Sequence, residues 1–317
     1  MGPISVNLES DEFSHGSIVI KRYSKNELDN LLGDDLEYWS PVSLSLSHYL
    51  GYWLKLDVDV SDSEDPWRKV VAEVQGILEA LGLFKTTLSM LSVAGLLVKK
   101  LGEERRVGDF FGLENTIRGR PYFLSLAEYD DFSKLLTEYR NFWSDHKVAS
   151  GSNEQLERIN LAKNCFVASY QKISLVDRYI LLSIALEALY GEAEQELAYR
   201  YSNRAALLLG DDADRRKKAY QDTKNAYRLR SSILHGGIKW KIHPINVWKL
   251  TEIIRETILR SISLFNQGYT NIGSTLDDCM HELDEQQQLL EDARKLFGKI
   301  SEYKETEESF LKSVAIE

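Results

Sequence analysis

Residues 244–267 read PINVWKLTEIIRETILRSISLFNQ, and this stretch decides the fold of the second half of the chain. Its apolar residues recur at intervals of three and four, which places them on one side of an α-helix. The row consists of Val247, Leu250, Ile254, Ile258, Ser261 and Phe265. The same period predicts further helices joined by short connections, over residues 153–170, 174–190, 193–210, 213–235 and 276–300. Consecutive helices with short loops form a bundle, so we expect an all-α helical bundle here.

Two of these helices begin with residues that commonly cap helix N-termini. Ser152 precedes Gln155 by three positions, which is the spacing of a capping box, and Ser174 precedes Asp177 in a weaker version of it. We therefore expect Ser152 and Ser174 to accept hydrogen bonds from the first turns of their helices.

The first 125 residues have a different pattern. Segments rich in β-branched and aromatic residues partly alternate with polar ones, which predicts half-buried strands over residues 4–9, 16–24, 51–60 and 83–91. Residues 65–83, DPWRKVVAEVQGILEALGL, have the spacing of an amphipathic helix instead. The sequence therefore predicts an α+β protein overall, in which a mixed α+β N-terminal domain precedes the helical bundle.

Changes of pattern along the chain predict the domain boundaries. Residues 1–125 form the N-terminal α+β domain, for which we expect a sensor or regulatory role. Residues 126–152 form a connecting helix and a linker, because the small residues of VASGSN at 148–153 interrupt the helical pattern. The helical domain covers residues 153–301, and residues 302–317 form a polar C-terminal tail.

Cysteine and histidine usage argues against a disulfide framework or a metal site. Cys165 and Cys279 are far apart in sequence, and the 6 histidines are scattered without metal-ligand spacing. We expect neither a metal nor any other cofactor. No apolar run is long enough to span a membrane, and the N-terminus lacks the pattern of a secretory signal, so we expect a cytoplasmic protein without a membrane partner.

The charge distribution is uneven. The 317-residue chain has a net charge of -10, which normally opposes binding to nucleic acids. Residues 200–260, however, contain 14 Lys and Arg against 6 Asp and Glu, a balance of +8. This window is either an anion-binding face or an ordinary solvated helix surface.

The stretch KNAYRLRSSILHGG, residues 224–237, combines candidate chemical groups at a helix end. The helix brings Tyr227, Arg228 and Arg230 towards His235 and is expected to end at the two following glycines. Arg230 and His235 are separated by about 140° around the helix axis, and Arg228 lies within about 20° of the face of His235. Either arginine is therefore placed to share a site with the histidine, and Ser231 adds a hydroxyl group beside them.

These residue types suit the cleavage of RNA. The 2′-hydroxyl of RNA is the nucleophile, so an enzyme needs a group that moves a proton and a cation that stabilises the charged transition state. Histidine moves protons near neutral pH, and arginine donates forked hydrogen bonds to phosphate. In the competing structural interpretation, His235 caps its helix and Arg230 pairs with a carboxylate such as Glu187.

The surrounding sequence resembles a known family. LSIALEALYG (182–191), LAYRYSNRAALLLG (197–210) and AYRLRSSILHGG (226–237) resemble the Apea-like branch of the HEPN superfamily (higher eukaryotes and prokaryotes nucleotide-binding). The matching features are an acidic residue in an apolar helix, an arginine followed by small and aliphatic residues, and an Arg-Ser-x3-His-Gly end. Here they fall on Glu187, Arg204 and the segment from Arg230 to His235, and the resemblance covers about residues 150–290.

This resemblance implies a helical bundle that commonly forms a homodimer and brings two motifs into one cleft. It also implies a metal-independent endoribonuclease of the kind found in toxin–antitoxin, CRISPR and anti-phage defence systems. Arg230 would stabilise the phosphate and His235 would act as acid or base. Ser231 differs from the Asn, Asp or His common in other HEPN nucleases but suits the Apea-like branch. Glu187 either orients an arginine or forms a structural ion pair, and Arg204 either supports the site or ties its helix to neighbouring ones.

The sequence therefore predicts a HEPN-type endoribonuclease that cleaves RNA at a dimer cleft, with a regulatory protein or a nucleotide ligand as a further partner. The alternative is a non-catalytic HEPN module that binds nucleotides or RNA, or that acts as a scaffold. A third hypothesis is a helical adaptor whose 276–300 helix recruits a protein.

Overall fold

A computed structural model shows an α+β protein, with short strands and one long helix before residue 125 and helices from residue 129 onward. None of its described helices is long and apolar enough to cross a membrane. The structure describes residues 2–4, 6–24, 26–27, 30, 52–59, 65–86, 96–100, 103–107, 122–147, 153–172, 174–191, 197–235 and 242–298.

The described helices follow the predicted periodicity closely. Two long helices precede residue 150, and the predicted bundle region contains the others. They are α1 (Pro66–Phe84), α2 (Tyr129–Lys147), α3 (Glu154–Tyr170), α4 (Leu175–Tyr190), α5 (Leu197–Leu209), α6 (Ala213–Leu234), α7 (Pro244–Asn266), α8 (Ile272–Asp278) and α9 (Leu283–Arg294).

Helix α7 is buried along almost its whole length. Every residue from Val247 to Leu264 is buried except Lys249, and helices α3, α4, α5, α6, α8 and α9 all contact α7. The predicted apolar row is therefore only one of its buried sides. The helix ends at Asn266. Two residues later, Gly268 has a φ of 94°, which favours glycine, and the amide of Tyr269 donates to the carbonyl of Leu264.

The buried charged residues of α7 form ion pairs within the helix. Nη2 of Arg255 lies 3.3 Å from Oε2 of Glu252, and Nη2 of Arg260 lies 2.7 Å from Oε1 of Glu256. Both arginines are at most 2% exposed. An isolated buried charge is costly, so these pairs make it possible to bury a helix with four charged side chains.

Arg255 also binds the end of another helix. Its Nη1 atom donates to the carbonyls of Leu83 and Phe84, at 3.2 and 3.3 Å. These are among the last carbonyls of α1, which have no partner within their own helix. A cation at this position is also favoured by the helix dipole, so Arg255 fixes the C-terminus of α1 against α7.

A second buried carboxylate connects α1 with α2 and α3. The hydroxyl of Tyr139 donates to Oε2 of Glu79 at 2.6 Å, and Nζ of Lys163 lies 3.3 Å from the same oxygen. Burial, together with the charge of Glu79, raises the pKa of Tyr139 well above its usual value. Tyr139 therefore keeps its proton and remains a hydrogen-bond donor to Glu79.

Asp211, in the turn between α5 and α6, contacts three arginines. Arg260 lies 3.2 Å from its Oδ1 atom, Arg215 lies 2.7 Å from its Oδ2 atom, and Arg294 of α9 also contacts Oδ2. Partial burial opposes ionisation of Asp211, but the hydrogen bond and charge of Arg260, with the charge of Arg294, more than offset it. The pKa of Asp211 is therefore lowered.

The described strands are short. The largest sheet is antiparallel, has four strands in the order β1-β5-β4-β3, and aligns Phe13 with Ile20 and Ile20 with Leu54. Strands β2 and β8 pair in parallel, and β6 and β7 form an antiparallel pair. The bounds are β1 (Gly2–Ile4), β2 (Val6–Leu8), β3 (Glu12–His15), β4 (Ile18–Lys21), β5 (Tyr52–Leu56), β6 (Leu96–Lys100), β7 (Glu103–Val107) and β8 (Tyr122–Leu124).

One face of the four-stranded sheet is buried. Phe13, Ile20 and Leu54 share this face and are at most 2% exposed. The ring of Phe13 contacts Tyr129 and Phe132, with ring centres 5.2 Å apart in both cases. This arrangement confirms the half-buried strands predicted near residues 16–24 and 51–60, although the observed strands are shorter.

Three local predictions need correction. The helix predicted from residue 153 begins at Glu154, and Asn153 rather than Ser152 is its cap, because the Asn153 side chain accepts from the amides of Gln155 and Leu156. The side chain of Gln155 is buried and instead accepts from the amide of Ile272 at 3.1 Å. Ser152 itself lies outside the described residues. The prediction for Ser174 is confirmed, since its hydroxyl accepts from the amide of Asp177.

The strand predicted over 83–91 is wrong at its start, because α1 continues to Phe84, and residues 87–91 lie outside the described part. The helix predicted over 276–300 is divided into α8, a 3-10 turn over Cys279–His281, and α9. The side chain of Gln286 donates to the carbonyl of Cys279 at 2.6 Å and so fixes this break. Residues 299–317, which include the predicted tail, lie outside the described residues.

The contacts group the chain into two compact units. One consists of Met1–Leu78 and Ser89–Lys134, and the other of Glu79–Leu88 and Leu135–Glu317. The four-stranded sheet belongs to the first unit, and the pairs formed by α7 belong to the second. The predicted boundaries at residues 125, 152 and 301 stay predictions.

The arginine contacts of Asp211 predict an acid-sensitive contribution to stability. We expect Asp211→Asn to lower the free energy of unfolding at neutral pH by about 1.5–3 kcal/mol, the range of hydrogen bonds to charged groups. Because the pKa is lowered in the folded state, this contribution is present above about pH 4 and is lost as pH falls through the folded pKa. Urea unfolding followed by circular dichroism across this pH range measures the difference.

Asp222→Asn is the matched control. Asp222 pairs with Lys218 on the surface of α6, at 2.6 Å, and such pairs contribute about 0–1 kcal/mol. Equal losses in the two variants, or a difference that does not change with pH, would contradict the assignment.

Candidate functional site

The C-terminal turns of α6 contain most of the predicted site residues. The helix begins after Asp212, whose side chain accepts from the amide of Arg215 at 2.8 Å, and it ends at Leu234. His235 is the C-terminal cap residue, and its amide donates to the carbonyl of Ser231 at 3.1 Å. The predicted helix end is therefore confirmed to within one residue, while the two following glycines lie outside the described residues.

Arg230 forms an ion pair with Glu187 of α4. Its Nη2 atom lies 2.7 Å from Oε1 and 2.9 Å from Oε2, so one nitrogen contacts both carboxylate oxygens. The side chains are 25% and 27% exposed. Among the described residues, Nε and Nη1 of Arg230 have no hydrogen-bond partner, so these two nitrogens can donate to an anion while Nη2 contacts Glu187.

Two tyrosines adjoin this pair. The guanidinium carbon of Arg230 lies 6.0 Å from the ring centre of Tyr227, and the ring of Tyr201 from α5 contacts Tyr227 edge to face at 5.8 Å. Burial first, and the charge of Glu187 second, raise the pKa of Tyr201 to about 12. The Tyr201 hydroxyl therefore stays protonated at neutral pH.

The end of α4 permits this close approach because residue 191 is glycine. A Cβ atom at Gly191 would lie 3.0 Å from the Tyr201 hydroxyl oxygen and would clash with the Glu187 carbonyl. The guanidinium of Arg158, from α3, donates to the Gly191 carbonyl. This glycine therefore allows the last turn of α4, which contains Glu187, to pack directly against α5.

Arg204 is near the site but is fully engaged in other contacts. Its Nε and Nη2 atoms donate to the two carboxylate oxygens of Asp277 at 2.9 and 2.7 Å, and its Nη1 atom donates to the carbonyl of Tyr190. It is only 2% exposed. These contacts connect α5 with α8 and with the end of α4. This is the structural one of the two roles that the sequence indicates for Arg204.

His235 and Arg228 are exposed at the end of α6 and lie seven positions apart. Neither side chain forms a hydrogen bond or ion pair with the described residues. The spacing places both on one side of the helix, whereas Arg230 is on the side of Tyr227 and Glu187. Ser231, which is partly exposed, lies between the two sides and leaves its hydroxyl without a described partner.

The positive balance of residues 200–260 is partly offset by two carboxylates from outside this window. Arg204 pairs with Asp277 and Arg230 with Glu187, both of which lie outside that sequence window. Arg260 and Arg215 share Asp211. The cations that stay available are therefore fewer than the sequence count indicates, and Arg228 is one of them.

The structure thus brings Tyr227, Arg230 and Glu187 together, and places Arg228, Ser231 and His235 within two turns of them. The sequence interpretation missed Tyr201, which lies in a quoted segment and is 3% exposed. It also missed Tyr199, two positions earlier and 53% exposed. The sequence does place Tyr201 on the same apolar side of its helix as Ala205 and Leu208, which indicates burial. Nothing in the sequence indicates its contact with Tyr227.

Within the described part of the chain, no three His, Cys, Asp or Glu side chains cluster closely enough to hold a metal ion. Comparisons with protein-family models, curated proteins and solved structures find no match to this chain. The local geometry is therefore the main guide to function.

The contacts of Arg204 predict a structural effect of its removal. We expect Arg204→Ala to lower the free energy of unfolding by about 1.5–3 kcal/mol, the range of hydrogen bonds to charged groups. The substitution leaves the Tyr190 carbonyl without its partner and leaves Asp277 with only the more distant Arg200, at 3.8 Å. Arg228→Ala is the control, since an exposed residue without described partners should change stability by no more than about 0.5 kcal/mol. Chemical denaturation of the two variants measures both values. Unchanged stability in Arg204→Ala would contradict the structural role of this arginine.

Proposed function

We propose that this protein is a metal-independent endoribonuclease of the HEPN type, from the Apea-like branch. The observation that supports this function best is the set of contacts and the exposure of Arg230. It has two unpartnered donor nitrogens, it is partly exposed, and it lies on the same helix end as the exposed His235. This combination provides a cation for phosphate and a group that transfers protons near neutral pH.

In the proposed reaction, the 2′-hydroxyl oxygen of RNA attacks the adjacent phosphorus atom. The bond to the 5′-oxygen of the next nucleotide breaks, which leaves a 2′,3′-cyclic phosphate and a 5′-hydroxyl group. Nε and Nη1 of Arg230 donate to the phosphate oxygens, whose charge increases in the transition state. His235 accepts the proton of the 2′-hydroxyl, and its protonated imidazole then donates a proton to the leaving 5′-oxygen. Arg228, on the side of His235, and Ser231 assist in binding the phosphate chain.

We also propose a homodimer, as the family resemblance implies. The solvent-facing side of α4 supports this proposal, because next to Glu187 it presents Ile180, Leu181, Ile184 and Ala188. Ile184 is 37% exposed. An apolar row of this kind is typical of a helix that packs against a partner. We place the activity in a cytoplasmic defence or toxin-like system, in which a regulatory protein or nucleotide ligand acts through the N-terminal residues.

A gel assay with total tRNA and mixed-sequence single-stranded RNA, in EDTA, tests the nuclease. We expect the wild-type protein to cleave RNA, and His235→Ala to lower the rate by about 100-fold or more, the usual contribution of a general acid or base. Arg230→Ala should lower it by about 100- to 1000-fold, as the loss of a transition-state donor does. Lys217→Ala is the control, since Lys217 is an exposed cation of the same helix and should be dispensable.

Equal cleavage by the wild-type protein and His235→Ala would contradict the assigned role of the histidine. Light scattering of the same samples measures the molar mass and so tests the dimer. Melting temperatures identify any variant that loses activity only because it unfolds.

The pair between Arg230 and Glu187 predicts competition between the carboxylate and RNA. Because phosphate and Glu187 both bind the guanidinium, we expect Glu187→Gln to bind single-stranded RNA about two- to fivefold more tightly, the range of a partly exposed ion pair. Fluorescence anisotropy in the His235→Ala background measures binding without cleavage. Asp177→Asn, which removes one negative charge from the first turn of the same helix, is the control. Weaker binding by Glu187→Gln would show that the carboxylate positions Arg230 instead.

The second candidate is a non-catalytic HEPN module that binds RNA or nucleotides, or that acts as a scaffold. The same pair favours it, because a guanidinium held by Glu187, beside a histidine at a helix cap, also suits a purely structural arrangement. Absence of cleavage by the wild-type protein, with RNA binding retained in the Arg230→Ala/His235→Ala double variant, would support this candidate over the nuclease.

A further inference from the structure

An open cleft of about 500 Å³ lies next to the Arg230 pair. Its described lining comes from the first turn of α5 and from α6, and consists of Leu197, Ala198, Tyr199 and Tyr227. None of these four side chains is charged, and two of them are aromatic. The described lining of the cleft therefore presents apolar and aromatic surfaces.

Tyr199 is unusually exposed for a large side chain. With 53% of its surface accessible, it is among the few exposed large apolar or aromatic residues in the described part of the chain. The structure gives its ring no stacking partner among the described residues. An exposed aromatic ring at the edge of a cleft is available to stack against a planar ligand.

Tyr227 joins the cleft to the proposed phosphate site. It lines the cleft, and its ring centre lies 6.0 Å from the guanidinium carbon of Arg230. A single nucleotide has a planar base at one end and a phosphate at the other. A ligand with its base in the cleft would therefore have its phosphate close to the unpartnered nitrogens of Arg230.

We propose that this cleft binds one base of single-stranded RNA, in contact with the rings of Tyr199 and Tyr227, beside the phosphate that Arg230 contacts. This inference rests on the proposed function, since it takes RNA as the ligand. Stacking on tyrosine requires an unpaired base, because the faces of a base in a duplex are covered by its neighbours. It does not require a particular sequence, since every base has an aromatic face.

Binding of a short fluorescent RNA to the full-length protein tests the cleft, in the His235→Ala background that prevents cleavage. We expect Tyr199→Ala to weaken binding by about 5- to 150-fold, the range found for one stacked base, and Tyr199→Phe to bind normally. Tyr227→Leu should also weaken binding, because it keeps an apolar side chain but removes the ring. An RNA of the same length without bases should bind equally to all of these proteins.

Tyr220→Ala is the matched control. Tyr220 lies on α6 two turns before Tyr227, but it does not line the cleft, and its hydroxyl and ring contact Lys224. We expect this variant to bind RNA normally. A loss as large as that of Tyr199→Ala would overturn the assignment, because it would show that the effect is not specific to the cleft.

Other outcomes separate the cleft from the nuclease. If the wild-type protein cleaves RNA, but Tyr199→Ala and Tyr227→Leu bind RNA normally, the assignment of the cleft as a base site is wrong and the proposed function stands. If the tyrosine variants lose binding to duplex RNA as well, stacking on an unpaired base is wrong. If the wild-type protein neither binds nor cleaves RNA, titration with adenosine 5′-monophosphate tests whether the cleft binds a base at all. Binding of the nucleotide by the wild-type protein and not by Tyr199→Ala would support a base site without nuclease activity. Absence of binding by the wild-type protein would overturn the proposed base site.

Discussion

The position of the candidate site depends on one buried arginine of the central helix. Arg260 of α7 donates to the carbonyl of Leu208 at 2.6 Å, in the last turn of α5, and also contacts Asp211 in the turn that follows. The next residue, Asp212, is the N-terminal cap of α6. A single guanidinium therefore fixes the end of one helix and the start of the next. Because α6 leads from this turn to Arg230 and His235, the contact helps to orient the start of the helix on which both side chains lie.

This arrangement follows from the burial of α7 along almost its whole length. A helix with one apolar side needs no buried charges, but α7 is surrounded by other helices, so its polar sides are buried as well. Each arginine on those sides must find acceptors, and Arg255 and Arg260 find them in glutamates of α7 and in carbonyls at the ends of α1 and α5. The charges that make burial of α7 costly thus also bind the C-terminal carbonyls of neighbouring helices.

Sequence periodicity predicted the helices well because the spacing of apolar residues is a local property. It did not predict the break after α8, since that break depends on the contact of Gln286 with a carbonyl seven residues earlier. Ser152 and Asn153 are equally suitable caps by residue type, and only the backbone geometry selects Asn153. The buried charges of α7 were also visible in the sequence, but the carbonyls that Arg255 and Arg260 bind on α1 and α5 are distant along the chain, so no local pattern predicts these contacts.

The site shows the same limit. The residues of α6 could be placed on their faces from helix geometry alone, and Glu187 was identified as a partner for an arginine. Arg204 and Arg230, however, are alike as residue types. Their different roles arise from Asp277, which binds two nitrogens of Arg204, and from Glu187, which binds only one nitrogen of Arg230. A fully bonded, buried guanidinium has no donor left for a ligand, whereas a half-bonded and partly exposed one has two. This difference in unsatisfied donors, rather than the total positive charge of residues 200–260, distinguishes an arginine that stabilises the bundle from one available to bind phosphate in a protein with a net charge of -10.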